Sequence, residues 1–132
     1  MAYARTIHLD LPYDMALEQT REALAAEGFG IPAEIDTQAV FKNKLGLDSD
    51  RRIILGACQP KVAFEALQID PEIATLLPCN VVVHEISGGT DISIIKPTSL
   101  LALSTGLPLE AAEAVEDSLM RVLDRLQRSN QP

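Results

Sequence analysis

The sequence predicts an α+β domain: a single antiparallel β-sheet with helices packed on one face, in the element order β-α-β-(α)-β-α-β-β-α. Three observations carry this. Segments that alternate apolar and polar residues are interleaved with segments of helical period. Gly88-Gly89 joins two runs rich in valine and isoleucine, the signature of a hairpin. No regular βαβ series is present to demand a parallel sheet.

The elements follow in order. Residues 4–11 alternate, with Arg5, Ile7, Leu9 and Leu11 on one side, as in a strand with one buried face. Pro12 and Asp14 open a helix, since a first helical turn accepts proline and favours an acid. Its apolar face holds Leu17, Thr20 and Leu24, and Gly28 is placed to end it. Residues 29–36 read as a second strand, weakened by Gly30 and Pro32, which either lies at an edge or starts after Pro32. Thr37 is placed to cap a short helix containing Val40, Phe41 and Leu45 and stopping at Gly46. Residues 52–58 form a more buried third strand. Pro60 starts a helix to Ile69 with Val62, Ala63, Ala66 and Leu67 as its stripe.

Asp70-Pro71 restarts the chain as a helical turn to Leu77. Residues 80–86 and 91–96 are the two strands of the hairpin, and residues 98–105 form one helical turn. Pro108 opens the last helix, whose buried face is Ala112, Val115, Leu119, Val122 and Leu126. Acids lie near its start and arginines near its end, which complements the helix dipole. Asp117–Arg121 and Asp124–Arg128 are spaced as favourable pairs along it.

The chain has 132 residues, 47% hydrophobic and 23% charged, which suits one domain over residues 1–128 followed by a flexible tail, residues 129–132. The formal net charge is −8, from 19 acidic and 11 basic side chains. A general nucleic-acid binder needs a basic surface, and so does a peripheral binder of anionic membranes, so neither partner is expected. The N-terminus carries no apolar signal core, and no apolar run approaches the ~20 residues of a membrane span. Two cysteines are too few for a disulfide framework. The expected compartment is the cytoplasm. No phosphate loop, dinucleotide fingerprint or nucleophile elbow occurs, so no catalytic residue and no cofactor is predicted.

Cys58 closes the third strand and Cys79 opens the fourth. If these strands are antiparallel neighbours, the two thiols share one edge of the sheet, and a directly opposed pair would lie near disulfide range. Such a pair suits redox chemistry, thiol sensing or soft-metal capture. The start of the helix at Pro60 would lower the Cys58 pKa. The competing reading is two buried thiols that only pack. His84 and His8 are weak candidates to join the cysteines around a metal. Period two, however, puts His84 with Asn80 and Val82 on the face away from Cys79. Asn80 is a candidate to orient a ligand, or alternatively to cap a turn. Lys42, Lys44, Arg51 and Arg52 form a basic stretch broken by Asp48 and Asp50, read as a solvated turn or as a contact for an anionic ligand or partner.

Residues 54–60 (Ile-Leu-Gly-Ala-Cys-Gln-Pro), followed by residues 76–85 (Leu-Leu-Pro-Cys-Asn-Val-Val-Val-His-Glu), resemble the domain of unknown function 302 family. Glu34-Ile35-Asp36 and Lys44-Leu45-Gly46 are similar to the family's preceding segment. The resemblance spans nearly the whole chain. It implies a β-α-β(4)-α fold of TATA-binding-protein-like architecture, often in homodimers, and brings no established catalytic residues to carry over. The fold likeness carries no DNA-binding activity with it, because function belongs to sites. Gln59 stands where the family commonly has Asn, and Lys96 where an acid commonly precedes the proline.

Two functions are therefore expected as alternatives. The first is a non-enzymatic homodimeric module binding a small molecule or a protein. The second is a thiol-based redox or soft-metal protein using Cys58 and Cys79.

Overall fold

The computed structural model describes residues 3–103 and 106–132; of residues 101–103 it describes the backbone alone. The strands are β1 (Ala4–Leu9), β2 (Gly30–Asp36), β3 (Arg52–Cys58), β4 (Cys79–Ile86) and β5 (Gly89–Ile95). They form one sheet in the order β1-β5-β4-β3-β2, every neighbouring pair antiparallel. The helices are α1 (Tyr13–Ala26), α2 (Thr37–Leu45), α3 (Pro60–Ile69) and α4 (Leu109–Ser129), with 3₁₀ turns at Pro71–Leu76 and Pro97–Leu103. This is the predicted α+β class and element order. Residues 104 and 105, the end of the expected helical turn, lie outside the described residues. Among the described residues, no helix is long and apolar enough to cross a membrane.

The period-two pattern decides which face is covered. Ile7, Leu9, Ile53, Leu55, Val81, Val83, Ile92 and Ile94 point to one side and are buried beneath α1 and α4. From the helices come Ala16, Ala23 and Leu24, and Leu119, Val122, Leu123 and Leu126. Removing this much branched apolar surface from water is the main stabilising term of the fold. Two hydroxyls buried with it are satisfied: Thr20 Oγ1 donates to the Ala16 carbonyl and Thr90 Oγ1 to the Leu11 carbonyl.

The expected charge pairs along α4 are replaced by contacts to other elements. Arg121 and Arg125 each donate through Nε to Glu27, both at 2.8 Å, which ties the end of α1 to α4. Asp124 accepts from Arg5 of β1 at 3.1 Å. A guanidinium that reaches a carboxylate on a packed neighbour forms a fixed contact there, whereas an i,i+4 pair on an exposed helix face gains little.

The hairpin between β4 and β5 turns over two residues, Ser87 and Gly88, with Ile86 paired to Gly89; both glycines have positive φ. Gly89 also lies so close to the Leu9 carbonyl and the His8 ring that a Cβ would have no room. Glycine thus allows both the turn and the seating of β1 against β5.

One sector departs from the compact pattern. Of the two outcomes that Pro32 left open, the edge strand is the one found: β2 starts before Pro32 at the sheet edge, and its pairing with β3 shifts register between Gly30 and Ala33. The chain enters α2 through Asp36, not the expected Thr37: the Asp36 carboxylate accepts from the Ala39 amide, while Thr37 Oγ1 donates to the Arg52 carbonyl. Gly46 closes the helix in the left-handed conformation. No residue of α2 is buried.

Candidate functional site

At the end of the sheet opposite α2, β3 stops and β4 starts. The loop after β3 enters α3 at Pro60, and the 3₁₀ turn at Pro71–Leu76 brings the chain back to β4. The start of α4 comes in from the other side. Between these elements lies a cleft of about 250 Å³. Its walls are almost wholly apolar: Phe29 and Ala57 from the sheet side, Val62, Ala63 and Ala66 from α3, Ile73 and Leu77 from the return, and Ala111, Ala112 and Val115 from α4. The space exists because facing helices present alanines where larger side chains would meet. Gln59 and Glu65 are the polar lining residues. Gln59 is fixed by a hydrogen bond from Nε2 to the Glu27 carbonyl, which docks the start of α3 on the end of α1.

Both cysteines line this cleft. They are free and half-buried. β3 and β4 are antiparallel neighbours, but the register sets Cys79 opposite Ala57, while Cys58 lies beside Gly30 of β2. The thiols therefore share a sheet end without forming the directly opposed pair that the spacing suggested. Nor does the start of α3 lower the Cys58 pKa. Burial pushes Cys58 up, and burial with some help from nearby Cys58 pushes Cys79 from 9.0 to about 11. Neutral pH lies well below that value, so Cys79 is held as the thiol, whereas the thiolate is the form that attacks electrophiles and binds soft metals.

The other candidates lie elsewhere. Asn80 stands opposite Gly56 on the sheet face that α1 and α4 leave open, and does not line the cleft. His84 is on that same face, as its spacing predicts. Its Nε2 lies 3.0 Å from Asp50 Oδ2 and 3.0 Å from a terminal nitrogen of Arg52. The register aligns His8, Asp91, His84 and Arg52 in one row across the open face. His8 Nδ1 lies 2.9 Å from Asp91 and Nε2 3.0 Å from Asp10. The hydrogen bond with Asp91, then those to Asp10, outweigh desolvation and raise the His8 pKa above 6.5. Cys58, Cys79 and His84 are thus not gathered around one point. Among the described residues no group of three or more His, Cys, Asp and Glu side chains is placed to hold a metal.

The sequence had marked Val62, Ala63 and Ala66 as core-facing, and they do face inward, but onto the cleft. The readable signal was the density of alanine in α3 and at the start of α4. What was not readable is that these two helices wall the same cleft.

A five-stranded antiparallel sheet backed by helices, with an apolar cleft at one end, defines an α+β domain. A family model described as "Domain of unknown function DUF302" matches residues 5–126, and the chain belongs to that family. It is similar in structure to an uncharacterized conserved DUF302 protein from Bacillus stearothermophilus, known from a crystal structure. The two share 30% identity with a TM-score of 0.86, over 96% of this chain and 99% of that one. No curated protein matches.

Proposed function

We propose that the domain is a non-catalytic, homodimeric binding module that takes a small, largely apolar molecule in the cleft between α3, α4 and the sheet end. The observation that carries this is the cleft itself: about 250 Å³ of space walled by apolar side chains, with its two thiols held protonated. Ligand sites have this character, a concave apolar wall with a few polar groups that orient the guest. A cleft of this size suits a compact guest, below the ~300–1,000 Å³ that drug-sized ligands use. Gln59 and Glu65 are the groups placed to orient it.

The test is titration with N-phenyl-1-naphthylamine, an apolar dye that brightens on leaving water. Saturable binding at one dye per chain is expected, and Ala63→Phe, which fills the cleft from α3, should abolish it. No saturable binding, or binding that Ala63→Phe leaves unchanged, would overturn the assignment.

The thiol alternative draws support from the presence of both cysteines on one cleft. Their raised pKa values weigh against it as a redox or metal site.

A further inference from the structure

The sector from β2 through α2 to the start of β3, residues 30–52, is built unlike the rest of the domain. Ile35, Val40, Phe41, Leu45 and Leu47 are 37–63% exposed, and α2 has no buried residue. At 100° per residue, Val40, Phe41, Lys44 and Leu45 fall within one face of about 140°. Large apolar side chains are thus gathered on one element instead of being scattered singly, the arrangement that marks an interaction surface.

Resting on the homodimer reading above, we propose that this arm is where a second copy of the chain docks, with α2 of one protomer antiparallel to α2 of the other. Charge selects the occupant. The chain carries −8, yet residues 30–52 hold four acids (Glu34, Asp36, Asp48, Asp50) and four bases (Lys42, Lys44, Arg51, Arg52). The whole net charge lies elsewhere, so two equally acidic chains can meet at this sector without its adding to their repulsion. A strongly basic partner would instead be matched by an acidic sector.

The order of charges along α2 is also self-complementary. Asp36 sits at its N-cap, Lys42 and Lys44 in its last turn, and Phe41 at its middle. A two-fold axis through an antiparallel pair makes the contact isologous, so each end of one helix meets the opposite end of its mate. Lys44, which has no ion-pair partner among the described residues, then comes beside Asp36 of the other protomer.

The experiment is sedimentation equilibrium of the full chain, with Leu45→Glu and Lys44→Glu as probes and Lys61→Glu on α3 as control. Wild type and Lys61→Glu should be dimeric. Leu45→Glu should raise the dissociation constant at least ~tenfold, because it places an unpaired charge in the contact. Lys44→Glu should also weaken it, by setting an acid beside Asp36. The circular dichroism spectrum and urea midpoint check that the variants are folded. As a second measurement, Phe41→Cys under mild oxidation should give a reductant-sensitive dimer, while Phe64→Cys should not. A dimer that Leu45→Glu and Lys44→Glu leave intact overturns this surface but not the homodimer. A wild type that is monomeric throughout overturns both.

Discussion

Leu119→Ala tests the central packing contact of the fold. Leu119 is fully buried on α4, among the side chains that α4 and α1 lay over the sheet. The substitution removes three carbon atoms. At about 0.8 kcal/mol per buried methylene, the transfer loss is near 2 kcal/mol. The gap left between two helices and a sheet closes only in part, and cavity costs bring Leu→Ala losses to roughly 3–5 kcal/mol. About 3–4 kcal/mol is expected here. For a chain of this length, 3 kcal/mol corresponds to a fall in Tm of about 10 °C. Urea unfolding followed by circular dichroism measures the loss, and an unchanged m-value shows that both states keep their compactness. Leu109 lies on the same helix but is 53% exposed. Leu109→Ala should cost less than about 0.5 kcal/mol, so the pair separates burial from any general effect on α4. A loss below about half a kcal/mol at Leu119, or equal losses at both positions, would refute the assignment of the buried face.

His8 should titrate above 6.5 by NMR, chiefly because of Asp91. Its folded-state pKa is raised, so its contribution is fully present below about pH 6.5 and fades as pH rises through the folded value; His8→Gln should remove that part of the pH dependence. Glu27 behaves in the opposite sense. Arg121 and then Arg125 lower its pKa below 4.5, so its contribution is present above that pH and is lost as pH falls through the folded value. Glu27→Gln should cost roughly 1 kcal/mol at pH 7, because two guanidiniums converge on one carboxylate, and the difference from wild type should vanish in acid. Titrating the native protein with a thiol reagent at pH 7 should find Cys79 slow, and faster after unfolding; two immediately reactive thiols would contradict the burial that raises both pKa values.

Much of the fold was readable because local rules and tertiary demands agree. Alternation in residues 4–11 and helical period in residues 109–126 each marked the face that is in fact buried, while Pro32 left open an edge strand or a later start, of which the edge strand is found. The candidate site was readable only in part. The sequence brought Cys58 and Cys79 to one sheet end, but register depends on how β3 and β4 seat against α1 and α4, and a slip of one residue reverses which face a side chain takes. The cleft was invisible for a similar reason: it lies between α3 and α4, far apart in sequence, and spacing within either helix says nothing of their approach. Arg121 teaches the same lesson. Asp117, four residues before it, offered a sufficient account, yet Glu27, nearly a hundred positions away, holds it.

The position of β1 bears on how the chain assembles. Its only partner in the sheet is β5, and the pairing runs from Leu9↔Thr90 to Ala4↔Ile95, so the loop to be closed spans about 80–90 residues. The length-dependent part of the closure entropy, (3/2)RT ln n, is roughly 4 kcal/mol for such a loop. During synthesis the first strand therefore waits unpaired until most of the chain has emerged, whereas the β4–β5 hairpin closes across the two-residue turn Ser87-Gly88. Assembly should begin at that hairpin and end with β1. The domain should fold more slowly than a helical bundle of its size, because its outermost strand pair depends on its most distant contacts.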